Sequence, residues 1–210
     1  MIINRNRLVR MLSETARLWQ ESIGMLSDID SRFGDGDHGV TMGKIAGLFV
    51  SACQSWQDET IGSFLTDLSD RIMGVGGGSA GPLYGTLVGG LAGPLKEEKE
   101  IDETLLRTMM QSCLDEMYDI TKARVGDKTM MDALIPAVQA VCNCPGSVDE
   151  ILRAASDAAT EGAQSTAAFP SRFGRARHYG DQTIGTCDAG ALSTALLFRG
   201  FNEGFESLET

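Results

Sequence analysis

Residues 28–39 read DIDSRFGDGDHG. Apolar residues at helical spacing lie on both sides of this stretch, so it is a joint between two helices. Asp30, Asp35 and Asp37 crowd into eight of its positions, beside His38. Two carboxylates about 4 Å apart at an effective dielectric of about 20 repel by roughly 4 kcal/mol, a large share of a domain's net stability. A joint that gathers them needs a cation or another use for the charge. Three carboxylates without a cysteine suit a hard, oxygen-seeking ion, and Mg2+ is the first expectation. Asp35 and Asp37, two apart in an extended stretch, would face one way. A bend at Phe33-Gly34 would bring Asp30 round to join them.

Outward from this joint the spacing stays helical almost everywhere. Leu8, Met11, Leu12, Trp19, Ile23 and Leu26 mark a first helix, and Met42, Ile45, Leu48, Phe49 and Ala52 a second. Ile61, Leu65, Leu68 and Ile72 mark a third. A fourth, from about Gly81 to Leu95, is glycine-rich and apolar all round, with Pro82 in its first turn. Leu105 to Ile120 gives a fifth, entered through Asp102, and Met130 to Val141 a sixth. Ser147-Val148-Asp149-Glu150 is a capping-box pattern that opens a seventh. Ala189 to about Phe205 forms an eighth. No segment alternates with period two. The expected fold is therefore all-α, about eight antiparallel amphipathic helices in one unit over residues 1–210, without an interdomain linker.

The connections alternate in character. The first is DIDSRFGDGDHG, the third is Gly74 to Gly81 (GVGGGSAG), the fifth is Thr121 to Thr129 with Gly126-Asp127-Lys128-Thr129, and the seventh runs from Pro170 to Asp188. The second (Ser55 to Thr60), fourth (Lys96 to Asp102) and sixth (Asn143 to Gly146) are plain polar turns. In an up-and-down bundle, odd connections all emerge at one end. That parity predicts one site, built of acids, glycines, a Lys-Thr pair and arginines. A glycine-rich turn entering a helix offers backbone N–H groups to an anion, helped by the positive helix N-terminus. Carboxylates, Mg2+ and a phosphate cradle together describe a nucleoside di- or triphosphate site.

Other readings fall away. Counted from Asp28, the fifth position is Arg32 and the twelfth is Gly39, which excludes an EF-hand. Residues 76–81 fit GxGxxG, but no strand precedes them, and no GxxxxGK[ST] occurs. Taken singly, the acidic turn, the glycine turn, His38, His178, Arg175 and Arg177 all have ordinary structural explanations. Their arrival at one end reverses the balance. A net charge of −11 argues against nucleic acid or an anionic membrane as partner. Five cysteines without a CxxC pair read as reduced thiols. With no signal-peptide pattern and no membrane-length apolar run, the expected location is the cytoplasm.

Four ordered motifs resemble the nucleotide-binding L subunit of dihydroxyacetone kinases. They are Asp30…Gly34-Asp35-Gly36-Asp37-His38-Gly39, Gly77 to Gly85 (GGSAGPLYG), Gly126 to Asp132 (GDKTMMD), and Gly174-Arg175-Ala176…Asp188-Ala189-Gly190-Ala191. The resemblance implies a barrel of eight antiparallel helices with ADP (or ATP) and two Mg2+ ions at one end. It implies Asp30, Asp35 and Asp37 as metal ligands. His38, Gly39, Val40 and Thr41, with Ser79 and Ala80, would touch phosphate. Thr121, Thr129, Met130, Arg175 and the turn Asp188-Ala189-Gly190 would border the rest of the nucleotide. It further implies a K subunit that holds dihydroxyacetone covalently, and an M subunit that rephosphorylates bound ADP through a phosphohistidine. Relatives fused to the K domain use exchangeable ATP instead, and the alternative for this chain is an ATP-dependent kinase for a related ketose such as erythrulose, or a nucleotide-sensing regulator. In the family the L subunit can also bind a transcription activator; a homo-oligomer stays open. This chain departs from the usual family pattern at Ser79-Ala80, Ala189 and Arg177-His178-Tyr179.

Overall fold

In the computed structural model, which describes residues 2–57 and 60–207, helix dominates as the spacing predicts. In the connection expected from Ser55 to Thr60, residues 58 and 59 lie outside the described residues. The helices are α1 (Arg5–Glu21), α2 (Ile23–Asp30), α3 (His38–Ser55), α4 (Ile61–Met73), α5 (Ala80–Ala92), α6 (Glu103–Ile120), α7 (Met131–Asn143), α8 (Val148–Ser165) and α9 (Ala189–Glu206). Among the described residues no helix is long and apolar enough to cross a membrane.

Local chemistry sets the ends. Asn4, Thr60, Asp102 and Asp188 each accept a hydrogen bond from a backbone N–H in the first turn they precede. Ser147 and Glu150 form the expected capping box, with Ser147 N–H donating to Glu150 at 2.8 Å.

Two expectations need correcting. The first helix is not continuous: it breaks at Ser22, whose N–H donates to Trp19 O at 3.1 Å in place of a continuing helical bond. The apolar rhythm of Trp19, Ile23 and Leu26 persists across the break, so spacing alone could not reveal it. The break lets α2 lie against the start of α3, where a Cβ at Gly39 would stand only 2.0 Å from Ile23 O. The second correction is a two-residue antiparallel ladder, Ile3–Asn4 (β1) with Glu100–Ile101 (β2). It is too short to show a period, and it turns the fourth connection from a plain turn into a tie to the N-terminus.

Each long helix packs on its neighbours in sequence, and α9 packs on α1, so the pairings close into a ring. The core is continuous around Trp19, Phe49, Tyr84, Met117, Val138, Ala155 and Phe198, all essentially solvent-free. Where α9 meets α1 the backbones approach so closely that a Cβ at Gly200 would lie 2.5 Å from Thr15 Cα, and one at Gly204 2.5 Å from Met11 Cα. Pro136 sits inside α7 and has no N–H for the carbonyl of Asp132. Helix α8 closes on that carbonyl through Gly162, where a Cβ would meet it at 2.1 Å.

Candidate functional site

A cavity of about 550 Å³ opens at the end where α3, α5, α7 and α9 begin. Its wall takes residues from the joints at 31–37, 74–79, 121–130 and 166–188, the four odd connections of the sequence. Consecutive long helices must alternate in direction for this to happen. Four helix N-termini therefore face one space. In α5 the N-cap side chain makes no capping bond, which leaves first-turn N–H groups for a ligand, whereas Asp30 takes the His38 N–H at the start of α3 and Thr129 takes those of Met131 and Asp132 at the start of α7.

The three aspartates come together. Asp30, Asp35 and Asp37 each offer a carboxylate oxygen, and these lie within 4.8 Å of one another. The route differs from the extended alternation expected of Asp35 and Asp37. Asp37 is helical (φ −91°, ψ −7°), and Gly36 at φ +73° supplies the turn. Asp30 ends α2, where its carbonyl accepts from Gly34 N–H at 2.7 Å and its carboxylate from His38 N–H at 3.3 Å. Gly34 leaves room for that carboxylate, since a Cβ there would stand 2.3 Å from Asp30 Oδ1. The Arg175 guanidinium is ion-paired with Asp35. A protein cation thus already answers part of the negative charge.

Beside the acids lies the glycine turn. Gly77 (φ +129°) and Gly78 (φ +57°) run against Asp37 and lead into α5 at Ser79-Ala80. Thr41 Oγ1 lies directly beneath, 2.3 Å from where a Gly77 Cβ would be. Below the cavity a hydroxyl network joins four helices. His38 Nε2 and the Tyr84 hydroxyl each lie 2.8 Å from Ser193 Oγ, and Tyr84 is 3.0 Å from Thr194 Oγ1. Trp19 Nε1–H donates to Ser193 O at 2.9 Å. Burial holds His38 below the ordinary histidine range against the pull of Asp30, so the imidazole is neutral at pH 7.

The far wall is built around two buried charges. Asp132 accepts from Gly126 N–H at 2.6 Å and Thr129 N–H at 2.8 Å, which shapes the α6–α7 joint. Lys128, 4% exposed, donates to the carbonyls of Thr166, Thr183 and Thr186. The joint expected as one long loop from Pro170 to Asp188 spans residues 166–188 and contains three short 3-10 turns, at Thr166–Ala168, Arg175–His178 and Gly180–Thr183. Asp188 caps α9 by accepting from Ala191 N–H at 2.8 Å. Burial raises its carboxyl to about 7, helped by Asp132 and opposed by that N–H and by Lys128.

Of the residues singled out in the sequence, Asp30, Asp35, Asp37 and His38 line the cavity, as do Ser79 and Ala80. So do Thr121, Thr129, Met130 and Arg175, and the turn Asp188-Ala189-Gly190. Gly39 and Thr41 are packed behind the wall and Val40 is exposed outside it. Tyr84, Ser193 and Thr194 were missed; a tyrosine in an apolar glycine-rich helix and paired hydroxyls in α9 were the available signals. His178 is exposed, and all five cysteines are unpaired.

Comparison with known proteins agrees with this architecture. The protein of Escherichia coli (strain K12) named PEP-dependent dihydroxyacetone kinase, ADP-binding subunit DhaL, is 30% identical over 202 residues, 95% of this chain and 96% of its own. The D-erythrulose kinase of Mycolicibacterium smegmatis is 34% identical over 179 residues, 83% of this chain but 31% of its own. The crystal structure of the dihydroxyacetone kinase from C. freundii in complex with AMP-PNP and Mg2+ is similar with a TM-score of 0.72 at 26% identity, over 94% of this chain and 34% of that one. The DAK2 domain matches residues 32–203, and by that match the chain belongs to the DAK2 domain family.

Proposed function

We propose that this chain is the nucleotide-binding subunit of a ketose kinase, holding ADP or ATP with Mg2+ among its four joints. The observation that carries the reading is the meeting of three carboxylates, within 4.8 Å of one another, with the uncapped start of α5 in a single cavity. All-oxygen donors at that spacing fit a hard divalent cation, and Arg175 on Asp35 marks where positive charge is wanted. Asp30, Asp35 and Asp37 would hold Mg2+, two ions being the number the family resemblance implies. Bound there, the metal supplies charge neutralisation to the phosphate oxygens.

The protein's own groups supply the rest. The amides around Gly78, Ser79 and Ala80, at a helix start, would take phosphate. Neutral His38 adds no positive charge there, and its place is fixed through Ser193. Thr41 N–H is taken by Asp37 O at 2.9 Å, so Thr41 enters as support beneath Gly77, and Gly39 and Val40 through the backbone of α3. Thr121, Thr129, Met130 and Asp188-Ala189-Gly190 would border the remainder of the nucleotide. Arg175 would move its charge from Asp35 toward phosphate. The contributions are positioning and electrostatic, the main requirements of phosphoryl transfer.

The ketose would sit on a partner K subunit at the cavity mouth. The phosphoryl donor would be an M subunit phosphohistidine acting on bound ADP. The likeness to the D-erythrulose kinase favours a second version, in which ATP exchanges freely and erythrulose is the acceptor. Mass spectrometry of nucleotide carried by the purified protein tests the core of the proposal. ADP or ATP is expected, with most of it lost in Asp35→Asn. An unchanged nucleotide load in that variant would refute the metal role. Mixing with K subunit, then with ATP or phosphorylated M protein, over dihydroxyacetone or erythrulose, separates the two versions.

A further inference from the structure

Lys128 is the one non-glycine residue among those described with a positive φ, +60°. A side chain persists in that conformation only where its surroundings over-determine it. Here the reason is visible. The Lys128 Nζ donates to Thr166 O at 2.7 Å, to Thr183 O at 2.9 Å and to Thr186 O. All three acceptors belong to the 166–188 joint. A neutral amine has two N–H bonds and cannot serve three carbonyls, so the group is an ammonium. Burial depresses its proton affinity, while Asp188, Cys187 and Asp132 oppose that shift. Thr166 O and Thr183 O each also accept a longer backbone bond, from Phe169 N–H at 3.2 Å and Thr186 N–H at 3.3 Å.

We propose that Lys128 is a positioning residue whose ammonium acts as a tethered monovalent cation, clamping the 166–188 joint over the nucleotide cavity. The joint carries two groups into the site. Arg175 reaches Asp35, and Asp188 caps α9 with its own N–H donating to Thr166 Oγ1 at 2.9 Å. Thr166 is thus held at its carbonyl by Lys128 and at its hydroxyl by Asp188. Loss of the ammonium frees the joint that holds the arginine, without touching the three aspartates. The clamp's geometry stands by itself; its consequence for nucleotide rests on the proposed function above.

The chemistry supplies its own control. Lys128→Gly suits a φ of +60° and leaves a three-carbonyl cage that free ammonium can fill. Lys128→Met keeps an unbranched side chain one atom shorter, removes the donors and obstructs the cage. Both are compared with wild type by hydrogen exchange over residues 169–188 and by the release rate of ADP·Mg2+, in sodium, ammonium and tetramethylammonium chloride. In sodium both variants are expected to lose protection over that joint and to release nucleotide at least about tenfold faster, a coupling within the usual range between sites. Protection in α1 and α9 should not change. Ammonium should restore Lys128→Gly but not Lys128→Met, and tetramethylammonium, which has no N–H, should restore neither. Wild-type protection and release in both variants would overturn the clamp, as would a loss in Lys128→Gly that ammonium leaves unrepaired. If Lys128→Gly fails to fold in sodium, recovery in ammonium supports the clamp and no recovery overturns it. If wild type takes up no ADP·Mg2+, the proposed function fails, while the exchange data still decide the clamp.

Discussion

At the scale of single residues the site depends on small clearances and unusual titrations. A methyl group at Gly34 would stand 2.3 Å from Asp30 Oδ1 and 2.9 Å from Asp30 O. Gly34→Ala should therefore displace a metal ligand and weaken Mg2+-dependent nucleotide binding by about 10–100-fold, the usual penalty for disturbing a ligand's support. Calorimetric titration with ADP and Mg2+ checks this, with the melting temperature as control for the fold. The buried acids make a different prediction. Burial raises the carboxyl groups of Asp188, to about 7, and of Asp132 above their unfolded values. Between about pH 4 and 7 the folded state then binds more protons than the unfolded one, so this contribution to stability shrinks as pH rises through that window. Asp188→Asn can still accept from Ala191 N–H while remaining neutral. Denaturant titrations of nucleotide-free protein from pH 4 to pH 8 should show a shallower fall in stability for the variant; an identical slope would contradict the assignment. Little of this was legible in the sequence. DIDSRFGDGDHG announced that acids would meet, but not that Gly34 makes the room or that Gly36 makes the turn, because neither clearance nor φ is written in residue identity.

At the scale of elements the sequence was more readable. Apolar spacing is a property of each helix alone, and it placed α3 to α9 close to their observed spans. The capping box at Ser147 and the cap at Asp102 are likewise local chemistry. The break at Ser22 escaped, because tilting α2 onto Gly39 is a matter of packing between elements while the apolar rhythm runs on. The Ile3–Ile101 pairing escaped because two residues carry no period. The contact that closes the ring, α9 on α1, depends on Gly200 and Gly204, with no space for a Cβ against Thr15 and Met11. Gly204→Ala should push backbones apart at a cost of about 1–3 kcal/mol, the usual range for overpacking. Urea denaturation measures it. A neutral result would mean that the two helices meet less closely than described.

At the scale of the whole molecule, alternation of joint chemistry made the arrangement legible before any coordinate: odd joints with glycines and charges, even ones plain. The structure gathers those odd joints around one cavity. The same joints carry Arg32, Lys122, Arg124, Arg172, Arg175 and Arg177, all exposed, in a chain of net charge −11. The exposed basic residues of those joints should draw a polyphosphate toward the cavity. The association rate of ADP·Mg2+ should therefore fall as salt rises from about 10 to 200 mM, while the dissociation rate stays nearly constant. Stopped-flow fluorescence with a labelled nucleotide measures both. The central claim is that Asp30, Asp35 and Asp37 hold the metal of a bound nucleotide against the start of α5. Paramagnetic broadening by Mn2+·ADP tests it most directly in the amide spectrum of the labelled protein. Broadening should centre on residues 30–38 and 77–81 and be absent at the opposite pole, residues 96–102 and 143–147. Broadening at that pole, or none anywhere at saturating Mn2+·ADP, would contradict the account.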